Sequence, residues 1–286
     1  MSAILKLVQG TKEWHEHRAL SRNASETPAV LGVSPWQTAY QLWLVRTGRV
    51  TQEVTAAMQH GTAIEGAARA AYEAKTGLVM EPLVLQEGEY SASLDGITLD
   101  GDLILEIKCP FKGRQSELWK SVAGGVIPEH YGWQIEHQLM VASAARAHFW
   151  VFDGTEGILL EVVPQKVRWP RIDRAWSEFM QYLESDTAPP LTDRDTLHRA
   201  DDIWKEAATA YIEAKRAADA AETRLDESKA ALVRLANHTS ETGAGVKVSR
   251  FHKLGSVDYK KIPELKGVDL DRYRGQSREE VRVTVS

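Results

Sequence analysis

The sequence predicts an α/β fold for residues 1–190, followed by one long helix and a small basic tail. Helical and strand periodicities alternate up to about residue 190. A helical pattern without strand signals then dominates residues 191–241. Short strand-like stretches with an excess of Lys and Arg fill residues 242–286. We therefore expect three regions: 1–190, 191–241 and 242–286.

Composition restricts the class of protein. A chain of 286 residues with 43% hydrophobic residues can bury a proper core. A formal net charge of −5 argues against coating nucleic acid through bulk positive charge. The single cysteine, Cys109, excludes a disulfide framework and a cysteine-rich metal site. We see no apolar run resembling a membrane span and no secretory signal, so we expect a cytoplasmic protein of a bacterium or phage-infected host, without a membrane partner.

Helices are predicted before and after a strand-rich centre, because apolar residues recur there at helical spacing and breakers stand at the ends. The clearest is the segment 61–75, which is rich in Ala and Glu and stops at Gly77. The others are a segment around Trp14 and Arg18, a helix start at 23–26, a helix at 127–143 and a closing helix at 171–184.

The centre is predicted to consist of strands rich in β-branched and other apolar residues. They cover residues 79–86, 90–95 and 102–108, and a later hairpin pairs 147–153 with 158–164. The dipeptide Asp100-Gly101 marks the turn before the third strand. That third strand is almost continuously apolar, which predicts a buried strand.

Residues 196–237 form one long helical pattern with a heptad seam. The seam residues are Trp204, Ala207, Tyr211, Ala214, Ala218, Ala221, Leu225, Ser228, Leu232 and Leu235. Because the seam is rich in alanine and therefore shallow, two alternatives stay open. The helix packs either on its own domain or against another molecule as a coiled coil.

The tail, residues 242–286, carries ten Lys and Arg against six Asp and Glu, a net charge of about +4. Such a tail on an acidic protein would suit DNA phosphates. No repeated alternation of aromatic and basic residues sharpens this signal, so an ordinary solvated surface is the interpretation we prefer.

Charged residues interrupt the third strand where burial would disfavour them. Glu106 and Lys108 point to one face of this strand, and Ile107 between them points into the core. Asp95 ends the preceding strand, so the hairpin is expected to place it beside Glu106. Two neighbouring carboxylates repel each other, and a Mg²⁺ ion with hard oxygen ligands relieves that repulsion.

This combination has the groups that phosphodiester hydrolysis requires. A bound metal lowers the pKa of a water molecule and polarises a phosphoryl oxygen. Lys108 would stabilise charge on the phosphate or help to deprotonate the water. Glu65, on the helix upstream, is either a further carboxylate for this metal or a solvent-facing charge. The alternative for Glu106 and Lys108 is a plain surface ion pair.

Residues 93–111 resemble the core of the lambda exonuclease and YqaJ-type family of phage recombination nucleases, which has an Asp…Glu-x-Lys signature. Further motifs of the family follow in the right order over residues 5–185: Gln9-Gly10 with Trp14-His15 and Arg18, Ala24-Ser25-Glu26, Gly61-Thr62 with Glu65, and Tyr131 with Gln134. The resemblance implies a restriction-endonuclease-like core with a central mixed β-sheet flanked by helices. Leu94 departs from the family, in which a proline often precedes the aspartate.

The resemblance also implies a role for individual residues. Those that would hold Mg²⁺, or Mn²⁺ as its substitute, are Asp95, Glu106, Glu65 and the carbonyl of Ile107. Lys108 would orient or activate the attacking water, assisted by Gln134. Tyr131 would contact the substrate near the scissile nucleotide, although a plain core aromatic fits its sequence position equally well.

A pocket for the 5′-terminal phosphate is implied at Arg18, Ser25 and Ser93. One guanidinium and two hydroxyls suit a phosphate dianion. Without the resemblance, the simplest interpretation of Arg18 is a surface ion pair with Glu13 or Glu16.

The function expected from these residues is Mg²⁺-dependent 5′→3′ exonuclease activity on double-stranded DNA ends. Resection of this kind would prepare ends for a single-strand-annealing partner in phage-type recombination. The family also includes ring-shaped trimers, so a homo-oligomer is expected, although nothing in the family comparison covers residues from 190 onward. The alternatives are a structure-specific endonuclease of the same fold and a DNA-binding or partner-recruiting protein.

Overall fold

A computed structural model describes residues 2–51, 53–197 and 199–252, together with 259, 262–265 and 268–269. The chain divides into two compact units, Met1–Leu197 and His198–Ser286. The division into three regions at 190 and 241 stays a prediction.

The first unit is built on a mixed seven-stranded sheet with the order β1-β3-β4-β5-β6-β7, to which β2 is added beside β4. The strands are β1 (Ala3–Leu5), β2 (Arg22–Asn23), β3 (Glu81–Glu87), β4 (Tyr90–Ile97), β5 (Leu103–Lys108), β6 (Arg146–Phe152) and β7 (Gly157–Val162). The pairs β5–β6 and β2–β4 are parallel and the others antiparallel. The predicted α/β class and the central strands are confirmed.

Seven helices accompany this sheet in the described part of the first unit. They are α1 (Lys12–Leu20), α2 (Thr27–Val30), α3 (Ala39–Arg46), α4 (Ala56–Thr76), α5 (Glu117–Ala123), α6 (Glu129–Ala142) and α7 (Trp169–Glu184). Helix α4 begins five residues before the predicted start, because the Thr55 hydroxyl accepts a hydrogen bond from the Met58 amide. It ends at Gly77 as predicted, with φ +73°.

Helix α3 was not predicted, and the helix start at 23–26 is only a short 3₁₀ turn followed by the four residues of α2. Helix α3 opens with a capping box, in which Thr38 and Gln41 bond reciprocally to each other's backbone amides. The Thr-x-x-Gln spacing is visible in the sequence and would have located this start.

The sheet separates two apolar layers, one under α6 and one under α4. Ile104 of β5 packs with Ile135 and Leu139 of α6. Leu105 and Ile107 pack on the opposite face with Ala68 and Tyr72 of α4. The prediction of a buried strand is therefore confirmed, with both of its faces covered, and Glu106 lies on the α6 side.

Strands β4 and β5 pair over a short distance only. Their register is Gly96↔Leu105 and Ile97↔Ile104. The β3–β4 ladder shifts register between Glu81 and Leu83, which gives β4 one extra residue at Asp95–Gly96. Pro82, which has no backbone N–H to donate, occupies β3 at this shift.

The prediction that Asp95 ends its strand is wrong, because β4 continues to Ile97. Asp95 lies at the bulge, and a bulge of this kind turns a side chain away from its regular direction. Gly96 follows it because a Cβ there would lie 2.6 Å from that of Met80.

The second unit contains α8 (Asp202–Leu235) and a hairpin of β8 (Ser240–Gly243) and β9 (Val246–Ser249). Helix α8 begins six residues after the predicted start, where the Asp201 carboxylate accepts from the Trp204 amide. None of its residues is buried. The choice between packing on its own domain and an intermolecular coiled coil stays a prediction.

Most of the predicted basic tail lies outside the described residues. Arg250 is described, and its guanidinium donates at 2.9 Å to the carbonyls of Val233 and Ala236. This arginine thus caps the carboxyl end of α8, where a positive charge is favourable. None of the described helices combines the length and the apolarity that a membrane span requires.

Gly157 provides a test of core packing, because its Cα faces the ring of Trp150. A Cβ at this position would lie 2.1 Å from that buried ring. We expect Gly157→Ala to lower the free energy of unfolding by about 1–3 kcal/mol through overpacking. Urea denaturation followed by circular dichroism measures this loss.

Gly66, in the exposed middle of α4, provides the matched control, since a Cβ there would meet nothing within 4 Å. Gly66→Ala is expected to raise the free energy of unfolding by about 0.5–1 kcal/mol. Equal effects of the two substitutions would contradict the described packing of β6 against β7.

Candidate active site

Glu106 is the most deeply buried carboxylate of the predicted site, with 2% of its surface exposed. Lys108 donates to its Oε1 in a close ion pair, and Gln134 donates to the same oxygen at 2.7 Å. Gln138 donates to Oε2 at 2.5 Å. Both glutamines lie on α6 one turn apart, so the helix and β5 together fix both carboxylate oxygens.

Asp95 completes the backbone hydrogen bonding of β5 beyond the short β4–β5 ladder. Its Oδ2 accepts from the amide of Ile107 at 2.7 Å. The carbonyl of a strand residue points to the same edge as its N–H, so the Ile107 carbonyl faces this edge too. Asp95 and the Ile107 carbonyl thus lie at the edge where the two strands separate, close enough to Glu106 for its charge to act on Asp95.

The electrostatics of this cluster are dominated by burial. Burial and the neighbouring charge of Glu106 raise the pKa of Asp95 well above its usual value. Burial alone would lower the pKa of Lys108, but the charges of Glu106 and Asp95 outweigh it and raise the pKa. Lys108 is therefore a cation at neutral pH, and a base that accepts a proton from water is not the role its surroundings favour.

Cys109, next to Lys108, has a thiol that remains protonated at neutral pH. Burial and the charges of Asp95 and Glu65 raise its pKa to about 12. A protonated thiol is a poor nucleophile. Cys109 instead packs against the apolar residues between β5 and α4.

Glu65 is near this cluster but has a partner of its own. Its charge contributes to the raised pKa of Asp95, while its Oε1 accepts from Arg69 at 3.0 Å. Within the described ranges, no group of three or more His, Cys, Asp or Glu side chains is arranged to hold a metal ion. The structure thus brings Asp95 and Glu106 together and leaves Glu65 in an ion pair beside them.

The oxygen set at the strand separation fits a divalent cation. Glu106 is buried and Asp95 partly buried, so their charges repel each other, and the Ile107 carbonyl adds a neutral oxygen at the same edge. Hard oxygen donors of this kind are the ligands that Mg²⁺ and Mn²⁺ prefer. A cation there would relieve the repulsion that raises the pKa of Asp95.

The three residues predicted to bind a 5′-phosphate lie together, and Trp14 joins them. Arg18 donates to Ser25 Oγ at 3.1 Å, and its guanidinium lies 4.7 Å from the ring centre of Trp14. The indole N–H of Trp14 donates to Ser93 Oγ at 2.9 Å. Since Ser93 precedes Asp95 by two residues on β4, this group of residues lies next to the carboxylate cluster.

The carboxylate partner of Arg18 is Glu26, at 3.1 Å, rather than Glu13 or Glu16. Glu26 also forms a close ion pair with Arg46. Two guanidinium groups therefore share one carboxylate, and a net positive charge remains beside Ser25. Burial of this cluster lowers the pKa of Arg18, which still leaves it charged at neutral pH.

Tyr131 lies between Lys108 and the core, and its predicted contact with the substrate stays a prediction. Its ring centre lies 5.3 Å from the Lys108 ammonium and 5.4 Å from the ring centre of Phe149. The ring is partly buried and packs against the core under α6. It is therefore a core aromatic that also borders the candidate site.

Two residues of the site escaped prediction. Gln138 lies one helical turn after Gln134, and this i, i+4 spacing on one face of α6 is the signal that would have found it. Trp14 was noted only as part of a motif. Its contacts with both Arg18 and Ser93 depend on the tertiary fold, and the sequence around it carries no sign of them.

The chain has recognisable relatives. Residues 13–145 match the model of the YqaJ-like viral recombinase domain. The Uncharacterized protein YqaJ of Bacillus subtilis (strain 168) is 28% identical over 151 residues, which cover 50% of this chain and 46% of that protein. The alignment thus spans less than half the length of this relative.

Solved structures share the fold of the first unit. An alkaline exonuclease (LHK-Exo) from Laribacter hongkongensis aligns with a TM-score of 0.53 and 24% identity, over 62% of this chain and 94% of that chain. The same protein in complex with dAMP aligns with a TM-score of 0.53 and 23% identity, over the same shares of the two chains. At these identities the likeness shows the fold, a mixed central sheet flanked by helices. Residues 13–145 therefore resemble a YqaJ-like viral recombinase domain, and the first unit has the fold of these exonucleases.

Proposed function

We propose that the chain is a metal-dependent deoxyribonuclease that removes nucleotides from the 5′ ends of double-stranded DNA. The observation that carries this proposal is the buried Glu106, fixed by Lys108 and two glutamines at the point where Asp95 and the Ile107 carbonyl converge. A simple surface ion pair between Glu106 and Lys108 would not require burial or two amide donors from another helix.

Asp95, Glu106 and the Ile107 carbonyl would hold the metal ion, Mg²⁺ or Mn²⁺, with Glu65 available beside them after release from Arg69. When bound, such an ion supplies an acidified water and a polarised phosphoryl oxygen. Lys108, which its neighbours keep positively charged, would orient the attacking water and stabilise the negative charge on the phosphate. Gln134 would keep the Glu106 carboxylate in the same position during the reaction.

The pocket at Arg18, Ser25 and Ser93 supports an exonuclease that starts from a 5′-phosphate. It adjoins the carboxylate cluster along β4, so a terminal phosphate bound there would leave the next phosphodiester near Asp95. The alkaline exonuclease with the same fold was solved with dAMP, a mononucleotide. A structure-specific endonuclease remains the second candidate, and cleavage of covalently closed plasmid would favour it.

The family match supports a role in phage-type recombination, in which resected ends are passed to a single-strand-annealing protein. We further propose that the chain acts as a homo-oligomer, of which a trimeric ring is one form, in the bacterial or phage-infected cytoplasm where such DNA ends occur. Removal of residues 192–286 would abolish assembly or partner binding if this region carries either function.

Lys108 tests the catalytic proposal. We expect Lys108→Ala to slow metal-dependent release of nucleotides from 5′-phosphorylated linear duplex by about 10²- to 10⁴-fold, because the cation beside the reacting phosphate is lost. Release of labelled nucleotides, with and without Mg²⁺, measures the rate.

Lys112, an exposed lysine four residues further on, is the control, and Lys112→Ala should keep the original rate. Wild-type rates in Lys108→Ala, or no cleavage by the unmodified chain with Mg²⁺ or Mn²⁺, would contradict the catalytic proposal.

Arg18 tests end recognition. The unmodified chain should degrade 5′-phosphorylated ends faster than 5′-hydroxyl ends, and Arg18→Ala should reduce this preference by roughly 10- to 100-fold, as expected for lost charge-assisted hydrogen bonds. The measured quantity is the ratio of kcat/KM for the two ends.

Arg49 provides a matched control, since it also lies over a tryptophan, Trp43 at 4.2 Å, and pairs with a carboxylate, Asp186 at 2.8 Å. Arg49→Ala should leave the preference unchanged. Equal degradation of both ends by the unmodified chain would argue against the pocket.

A further inference from the structure

Trp36 is the exposed tryptophan of the loop between α2 and α3, with 67% of its surface accessible. Single exposed apolar side chains are common on proteins, so exposure alone assigns no role. The surroundings of Trp36 distinguish it, because its loop is held in place and its ring borders the candidate active site.

The loop that carries Trp36 is fixed by hydrogen bonds at both its amides and its carbonyls. Ser34 Oγ accepts from the amides of Trp36 at 3.3 Å and Gln37 at 3.2 Å. Arg194 donates to the carbonyls of Ser34 and Pro35, each at 2.7 Å. The indole is therefore presented from an ordered backbone, which reduces the entropy lost when a ligand binds.

The ring of Trp36 continues an aromatic surface that leads to Lys108. It meets His130 edge-on at 4.6 Å between ring centres and Tyr131 at 5.7 Å. Tyr131 in turn lies 5.3 Å from the Lys108 ammonium. His130 and Tyr131 belong to the first turn of α6, the helix whose glutamines hold Glu106.

We propose that Trp36 is a stacking platform for a nucleobase in the first nucleotides of the DNA end held at Asp95, Glu106 and Lys108. This inference rests on the proposed nuclease function and adds a base-binding subsite to it. Every nucleobase has a π-face, so a stacked indole grips DNA without reading its sequence. An enzyme that degrades DNA ends of any sequence requires contacts that do not depend on the identity of the base.

A nucleobase fits this position better than a protein side chain does. The aromatic surface ends at an ammonium group beside two carboxylates, which is an environment for a metal-bound phosphodiester. A base one or two nucleotides away from that phosphodiester would be able to reach Trp36. Because stacking holds the DNA end and leaves the reacting groups untouched, its loss should raise KM more than it lowers kcat.

The test uses full-length protein and 5′-phosphorylated duplexes that carry 2-aminopurine at the first, second or third nucleotide of the 5′ end. Stacking on an aromatic ring quenches the fluorescence of this adenine analogue. Binding is followed in the Lys108→Ala background so that the DNA stays intact. In that background, Trp36 should quench 2-aminopurine at one of the three positions. The further substitution Trp36→Ala should restore this fluorescence and weaken binding of the duplex roughly 5- to 100-fold.

Two further variants separate stacking from other effects. Trp36→Phe keeps an aromatic face and should retain most of the quenching and affinity. Trp204→Ala removes another exposed tryptophan, on α8, and should change neither. With Lys108 intact, Trp36→Ala should raise KM for linear duplex by a similar factor.

Unchanged emission at all three positions in Trp36→Ala, while the unmodified chain degrades DNA normally, overturns the platform and leaves the nuclease function standing. The stacking proposal also fails if emission is unchanged and Trp36→Ala has a different oligomeric mass in solution. That result would assign the Trp36 ring to a contact between protein chains. If the unmodified chain neither binds nor degrades DNA, both proposals fail.

Discussion

A buried carboxylate needs a donor or a positive charge for each of its oxygens, and Glu106 imposes this requirement on the centre of the first unit. Lys108 and Gln134 serve one oxygen and Gln138 serves the other. These hydrogen bonds fix α6 against β5, because both glutamines lie on one face of α6. The same helix brings Tyr131 to Lys108, and His130 and Tyr131 to Trp36. The placement of the candidate site therefore follows from the solvation of a single carboxylate.

The second constraint is the early separation of β4 from β5. A continuous ladder would bond the Ile107 amide to a backbone carbonyl, and its edge would be closed. The bulge at Asp95–Gly96 instead lets a side-chain carboxylate take that amide, so the ladder is completed and an acidic oxygen remains at the edge. The serines that precede the bulge extend the site along β4 towards α1, where Ser91 meets His17 and Ser93 meets Trp14.

The sequence was sufficient for the parts of the fold that depend on local patterns. The run of apolar residues in β5, the stop of α4 at Gly77 and the β6–β7 hairpin all follow from periodicity and turn residues. Features that depend on contacts distant in sequence were out of reach. The bulge that holds Asp95 arises from pairing with β3, and the partner of Arg18 is Glu26 because the turn after β2 folds back on α1. Likewise, Arg194 holds the loop of Trp36 in place from more than 150 residues away. The pair of Glu65 with Arg69, in contrast, is an i, i+4 contact within α4, and the spacing of the two residues would have predicted it.

We propose that Asp95 and Glu106 form a divalent-metal site at the strand separation, and titration with Mn²⁺ followed by electron paramagnetic resonance is the decisive measurement. Asp95→Asn keeps an oxygen to accept from the Ile107 amide, so the fold should persist while the charge is lost. We expect the unmodified chain and the exposed control Asp102→Asn to bind Mn²⁺, and Asp95→Asn to bind it at least tenfold more weakly. Equal binding by all three proteins would place the ion elsewhere and rule out this metal site.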